Sequence, residues 1–307
     1  MNVNWTLARR RPLLVARAQI IQAIRQFFIQ EGFLEVETPL RIPAPAPEAH
    51  IDAIPSDGWF LNTSPELCMK RLLAAGYERL FQICHCWRGN ERGRKHLPEF
   101  TMLEWYRADA DYTRLMTDCE NLLTALAAAC GLNDDLQVQG REVRLAKPWQ
   151  RLTVAEAFAR FSDSSVDAAL ASDRFDEIMT DAIEPMLGIG QPTFLYNYPS
   201  ERGALARLHG ADQSVAERFE LYIGGIELAN GFSELTDAIE QRRRFEQEEQ
   251  YRRSSGRIPY PEANKFLAEL PAMPPAAGIA LGVDRLVMVM LDAAEIDAVV
   301  AFTPEDL

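Results

Sequence analysis

The chain has 307 residues, 48% of them hydrophobic and 25% charged, with a formal net charge of −13 from 32 basic and 45 acidic side chains. Apolar material is ample for a core, and no apolar run approaches the roughly 20 residues needed to cross a bilayer. The acidic balance speaks against nucleic acid as the main partner, because grip on phosphates needs a basic face. The basic N-terminal stretch is not followed by the apolar segment of a secretory signal, so the reading is a cytoplasmic protein.

Taken in chain order, Ile20, Ile21, Ile24, Phe27 and Phe28 form one stripe at helical spacing and predict a helix over residues 16–30, stopped near Gly32. FLEVET follows with strand character and Pro39 ends it. The Pro-Ala-rich run from Ile42 to Glu48 reads as an extended surface connection. Residues 65–75 are expected as a helix capped by Ser64, with Pro65 at its first position. RLFQICHCW (79–87) and EFTMLEWYR (99–107) read as paired strands around a charged loop, and residues 112–130 as an amphipathic helix. A hairpin and two helices are expected between about 131 and 190. Strands follow over 194–198, 215–223 and 225–230, then a charged helix from Thr236 to about Arg253. A short strand over 279–281, a break at Gly282 and a helix over 284–291 complete the reading. Antiparallel strands interspersed with helices give an α+β fold, expected as one domain over residues 1–307.

Five cysteines at irregular spacing give no disulfide framework. Cys84-His85-Cys86 falls in a strand, so the two thiols share a face and His85 points away. Buried reduced thiols are the expectation there, not a metal site.

Neither a P-loop nor a dinucleotide-binding glycine fingerprint occurs. Three other segments carry chemistry. The loop RGNERGRKHLP gathers Arg88, Arg92, Arg94, Lys95 and His96, with Phe100 just beyond: guanidinium forks for phosphate oxygens and a ring for a purine. On the second strand Glu104 and Tyr106 share one face. GGIELANGFSELTD places Glu227 and Glu234 seven apart, and paired carboxylates can hold Mg²⁺ or an ammonium group. In GIALGVDRLVM, Gly282 permits close backbone approach and Arg285 sits in the first turn of an otherwise apolar helix.

In this order, helix-strand-Pro39, Trp87-Arg88 through Phe100, and Gly282-Val283-Asp284-Arg285 resemble the three signature motifs of class II aminoacyl-tRNA synthetases. TSPELCMKRL, RKHLPEFTMLEWY, PTFLYNYP, ERFELYIGGIELANGFSELTD and ALGVDRL resemble the lysyl branch, over nearly the whole chain. Only about a dozen residues precede the first motif, with no room for an anticodon-binding domain. The chain is therefore similar to the elongation factor P–(R)-β-lysine ligase family, a paralogue group of the lysyl enzymes.

The resemblance implies ATP and Mg²⁺ as cofactors, lysine or (R)-β-lysine as substrate, elongation factor P as protein acceptor and a homodimer built through the first motif. It assigns Arg88 and Arg285 to catalysis on the phosphates. ATP would meet Arg88, Gly89, Asn90, Arg94, His96, Leu97, Phe100, Glu227, Leu228, Gly282 and Arg285. The amino acid would meet Ser64, Pro65, Glu66, Glu104, Tyr106, Glu234 and Ala280, and Glu227 with Glu234 would engage the metal. Ala280 stands where the tRNA-charging enzymes carry Gly and the elongation factor P ligases carry Ala. The second motif departs from the family pattern: Asn90 stands where a Glu is usual, leaving open whether Glu91 serves instead. A minimal lysyl-tRNA synthetase-like enzyme and a non-catalytic paralogue remain the alternative readings.

Overall fold

The computed structural model describes residues 5–132 and 135–307. Helix α1 (Trp5–Gln30) leads through β1 (Leu34–Glu35), β2 (Arg41–Ile42), β3 (Pro55–Ser56) and β4 (Trp59–Leu61) to α2 (Glu66–Ala74). The long hairpin β5 (Arg79–Trp87) and β6 (Glu99–Ala108) precedes α3 (Tyr112–Ala129). Next come β7 (Asp135–Val138), β8 (Arg141–Arg144), β9 (Gln150–Thr153), α4 (Val154–Phe161), α5 (Val166–Ala171) and α6 (Phe175–Ile178). A π-helical turn, Met179–Ile183, carries α6 onward to β10 (Thr193–Pro199), β11 (Leu208–His209), β12 (Asp212–Ile223) and β13 (Ile226–Ser233). The chain closes with α7 (Ala238–Ser254), α8 (Asn264–Glu269), β14 (Ala276–Gly282) and α9 (Val283–Met290).

Among the described residues the main sheet has nine strands, in the order β1-β5-β6-β14-β13-β12-β10-β9, with β11 beside β12. From β5 to β10 every pairing is antiparallel; the parallel pairings are at its two ends, β1 with β5 and β9 with β10. The α+β expectation stands. Helices α1, α3 and α9 cover one face and share the largest core cluster with it. On α1 the fully buried residues are Ile20, Ile24 and Phe28, an i, i+4, i+8 stripe. Phe28 stacks on Phe81 at 4.9 Å and meets Trp105 at 5.2 Å.

Some local expectations are corrected. Helix α1 begins at Trp5 and runs through Pro12, well before residue 16; its early turns are held by polar contacts to the C-terminal segment, where Arg10 pairs with Asp306 and donates to the Ala301 carbonyl at 3.0 Å. Helix α2 is capped at Pro65, one residue later than expected, although Ser64 Oγ still accepts from the Glu66 amide at 3.0 Å. Asp237, not Thr236, caps α7, accepting from the amides of Ile239 and Glu240. Cys84 and Cys86 are buried with sulfurs 3.9 Å apart, while His85 faces outward to Glu99, as the alternation of a strand requires.

The other face of the sheet carries the site. Strand register sets Glu104, Ala280, Asn230 and Glu220 side by side across β6, β14, β13 and β12. Two residues along, a parallel row holds Tyr106, Gly278, Phe232 and Arg218. Neighbouring strands lie about 4.8 Å apart. These two rows are therefore a continuous floor of functional side chains drawn from four strands, of which only β12 and β13 are neighbours in sequence.

Candidate active site

A cavity of about 1000 Å³ lies over this floor. Its lining includes Ser64, Glu66, Arg88, His96, Leu97, Phe100, Glu104, Tyr106, Glu227, Leu228, Ala280, Gly282 and Arg285, which sequence reasoning named. Glu234 packs at its end against Gly278, since a Cβ added there would strike both the Tyr106 ring and the Glu234 carboxylate. Pro65 is buried outside the lining, at the start of α2.

At one end the cations gather. Arg285 Nε donates to the Lys95 carbonyl at 3.2 Å, and its Nη1 reaches the carbonyl and carboxylate of Glu227 at 2.9 and 3.2 Å. Its Nη2 meets His96 Nε2. Burial and then the charges of Arg285, Arg88 and Lys95 push the His96 pKa down to about 4, so at neutral pH the imidazole accepts this bond. Asp284 places Arg285 by anchoring the start of α9: it takes the Thr101 amide at 2.7 Å and pairs with Arg17 of α1. Arg88 lies over the Phe100 ring at 5.2 Å, and its buried Nε has no hydrogen-bond partner among the described residues. An orphaned, buried guanidinium N–H in a cavity is a group awaiting an acceptor.

The loop's cations divide. Lys95 and His96 line the cavity, but Arg92 turns outward to Asp297 and Glu305, and Arg94 to Glu295 with its side chain 73% exposed. Arg94 therefore does not stand with the phosphate-facing groups. Gly89 and Asn90 also lie outside the lining, whereas Glu91 is part of it. Asn90 adopts φ +64°, a left-handed conformation that Asn tolerates and Glu does not favour. The altered second motif is thus a turn residue, and the acid next to it faces the cavity.

At the other end the acids gather. Glu104, 1% exposed, accepts from Ser64 Oγ at 2.5 Å and from Tyr106 Oη at 2.7 Å. Lys70, also 1% exposed, lies between Glu66 and Glu234, with its Nζ 2.5 Å from Glu234 Oε2 and 5.0 Å from the Phe232 ring centre. Glu234 Oε1 is buried without a hydrogen-bond donor among the described residues. Sequence reasoning missed Lys70 and Gly278. The helical i, i+4 spacing of Glu66 and Lys70 was the available signal.

One pairing is corrected. Glu227 and Glu234 do not share a metal: seven residues of extended chain separate them by roughly 20 Å. Glu234 is engaged with Lys70, and Glu227 with Arg285. Glu227 has a different acidic neighbour. Glu220 lies diagonally across the β12–β13 hairpin on the same face, since Tyr222 pairs with Glu227 and Glu220 with Asn230. Glu220 holds Arg218 at 2.7 Å and accepts from Tyr198 and Tyr222. Burial raises its pKa, with Glu227 adding to the rise. Glu184, on the turn after α6, is pushed up to about 7 by burial and by Glu220 and Glu227. Sequence reasoning counted seven residues forward from Glu227; the acid beside it on this face of the sheet lies seven residues back.

Burial, then the neighbouring Glu66, raises the Glu104 pKa to about 8. Such an acid binds a proton in the folded state that it releases in the unfolded chain, so stability falls as pH rises from 4.5 through 8. His96 works in the opposite sense, but only between about 4 and 6.5. The melting temperature of the ligand-free protein should therefore decline between pH 6.5 and 8.5. Glu104→Gln, the same shape without the proton, should make that decline shallower, the remainder coming from Glu234, raised by burial to about 8, and from Glu184 and Glu48, each raised by burial to about 7. Thermal melts across this range decide the matter, and an unchanged slope in the variant removes Glu104 as the cause.

The class II tRNA synthetase family of aspartate, lysine and asparagine (D, K and N) matches residues 3–306. The elongation factor P–(R)-β-lysine ligase of Salmonella arizonae is 42% identical, with 98% of this chain and 97% of that protein aligned. Those of Klebsiella pneumoniae and Pectobacterium carotovorum are 41% and 42% identical over 98% of this chain and 97% and 98% of theirs. The chain belongs to the elongation factor P–(R)-β-lysine ligase family. In this family member the cavity joins an arginine-rich end to an acid-rich end across four strands of the class II sheet. Among the described residues no helix is long and apolar enough to cross a membrane.

Proposed function

We propose that this chain uses ATP to activate lysine or (R)-β-lysine as the aminoacyl-adenylate and transfers it to a lysine of elongation factor P. The observation that carries the reading is one cavity with the unpaired Arg88 guanidinium at one end and buried acids at the other, Glu104 in its lining and Glu234, with Oε1 lacking a donor, against Gly278 at its end. A lysine-type substrate has a carboxylate to present to the first and ammonium groups to present to the second.

In this reading the substrate's amino group meets Glu66 and its side-chain ammonium meets Glu234, near Tyr106 and Glu104. Its carboxylate is then held beside Arg88. Attack on the α-phosphorus of ATP forms the carboxyl–phosphate bond and expels pyrophosphate. Arg88 takes the charge growing on the α-phosphate, and Arg285, freed from Glu227 and His96, takes the outer phosphates. Phe100 supplies a stacking face for adenine once Arg88 moves from its ring to phosphate. Mg²⁺ needs few protein ligands when phosphate oxygens complete its shell, and Glu220 with Glu227 is the carboxylate pair suited to it. The reading includes a cytoplasmic homodimer. Trp5, Val15 and Ile29 on α1 and Leu34 on β1 are each at least half exposed, an apolar surface a second copy would cover.

Purified protein should catalyse ATP–pyrophosphate exchange with lysine or (R)-β-lysine, add one lysyl residue to elongation factor P in intact-mass measurements, and sediment at twice the chain mass. Exchange without any mass gain on the factor, together with charging of a tRNA, would move the acceptor from protein to RNA.

A further inference from the structure

One acid of the cavity has no role in adenylate formation. Glu48 ends the Pro-Ala-rich segment, and residues 46–51 around it all line the cavity. Its backbone is fixed on both sides. The fully buried Arg252, stacked over Tyr260 at 4.0 Å, donates to the carbonyls of Glu48 and Ile51 at 2.8 and 2.6 Å. The Ala49 amide donates to Glu248 of α7 at 2.7 Å. The Glu48 carboxylate itself makes no hydrogen bond and no ion pair among the described residues. The charges acting on it are those of Arg88 and Glu66 from the reacting end, Glu248 from α7 and Arg218 from β12. Arg243 and Gln247 of α7 are exposed and also line the cavity, so α7 marks its mouth. Glu48 therefore lines the same cavity as the guanidinium beside which the adenylate would form, in a segment tied to α7.

Transfer to a protein lysine poses a problem that adenylate formation does not. The acceptor arrives as an ammonium ion, and at neutral pH only about one in a few thousand such groups is an unprotonated nucleophile. We infer that Glu48 takes the proton from the acceptor lysine's ammonium in the amide-forming step, an inference that rests on the function proposed above. The ammonium gives one proton to the Glu48 carboxylate. The freed amine attacks the aminoacyl carbonyl carbon, and the C–N bond forms. The carbonyl-carbon–oxygen bond to the α-phosphate breaks, and its electron pair leaves with AMP. The second nitrogen-bound proton goes to solvent, and the third stays on the amide. Burial pushes the Glu48 pKa up to about 7, which suits an acid that must accept and release a proton near neutrality.

The test separates the two half-reactions. Wild-type and Glu48→Gln enzyme are loaded with adenylate and mixed with three acceptors: elongation factor P, Nα-acetyl-lysine amide, and hydroxylamine, which is already unprotonated at neutral pH. Expected for Glu48→Gln is adenylate formation within twofold of wild type and hydroxamate formation equally intact. Single-turnover transfer to the two lysine acceptors should be roughly 100-fold slower at pH 7, the low end of what a positioned base supplies. That deficit should shrink as pH approaches the lysine pKa, and Glu48→Asp should recover part of the rate. Equal transfer by wild type and Glu48→Gln overturns the inference. So does a loss confined to adenylate formation or to the KM for the amino acid, which would make Glu48 a substrate-binding group. A wild-type adenylate that reacts with hydroxylamine but with no lysine amine also overturns it. If the small lysine acceptor is used in a Glu48-dependent manner while elongation factor P is refused, the function reading fails and the role of Glu48 stands.

Discussion

Arg285→Ala should lower kcat/KM for ATP–pyrophosphate exchange by roughly 100- to 1000-fold, the usual cost of removing one preorganised charge stabiliser. The guanidinium ties two parts of the site: the second-motif loop through the Lys95 carbonyl and His96, and β13 through Glu227. Each contact can use a different N–H, so four of the five donors are engaged before ATP arrives. Arg285→Lys should recover little, because a single ammonium cannot span those directions. The fold should survive the loss. Asp284 would still cap onto the Thr101 amide and hold Arg17, and the apolar side of α9 would still pack into the core. Exchange kinetics alongside a thermal melt separate the two effects. Exchange within threefold of wild type in a folded Arg285→Ala protein would remove Arg285 from the chemistry.

The cation-rich end of the site was more legible in the sequence than the acid-rich end, and the reason is local. Arg88, His96 and Phe100 fall on or beside one hairpin, so the loop between its two strands gathers them without any long-range pairing. Gly282 and Arg285 sit at a strand-to-helix break visible as a glycine before an apolar run. The acids depend on register between strands rather than on spacing within one. Glu220 meets Glu227 only because β12 pairs with β13, and Ala280 sits between Glu104 and Asn230 only because β14 is inserted between β6 and β13. No periodicity within one strand reports that. The region between the first hairpin helix and β10 was read too coarsely for a related reason. Its elements are four to eight residues long, and α6 passes into a π-helical turn, so helical spacing never repeats often enough to register. Asn90 shows the opposite case: compared by motif position it looked like a lost charge, but its positive φ makes it a turn residue.

Glu234→Ala should raise the KM for the lysine-type substrate by 100-fold or more and should also destabilise the protein by about 3–5 kcal/mol, the cost of breaking a buried ion pair. Lys70 is the reason the two effects come together. Its ammonium is out of water and shared between Glu66 and Glu234, whose charges together hold it protonated against burial. Removing Glu234 leaves that cation with one partner, a ring 5.0 Å away, and no solvent. Glu234→Gln should separate the effects, since it keeps the volume and offers a carbonyl oxygen to Lys70 while withdrawing the charge a substrate ammonium requires. The glutamine variant is expected to melt closer to wild type and still bind substrate poorly. Gly278 makes the same point through shape. A Cβ there would meet the Tyr106 ring and the Glu234 carboxylate at once, so the strand must leave that position bare for the acid to be seated. Chemical melts and pyrophosphate-exchange KM values for Glu234→Ala and Glu234→Gln decide between a binding acid and a purely structural one. A glutamine variant with unchanged KM would assign Glu234 to holding Lys70 and nothing more.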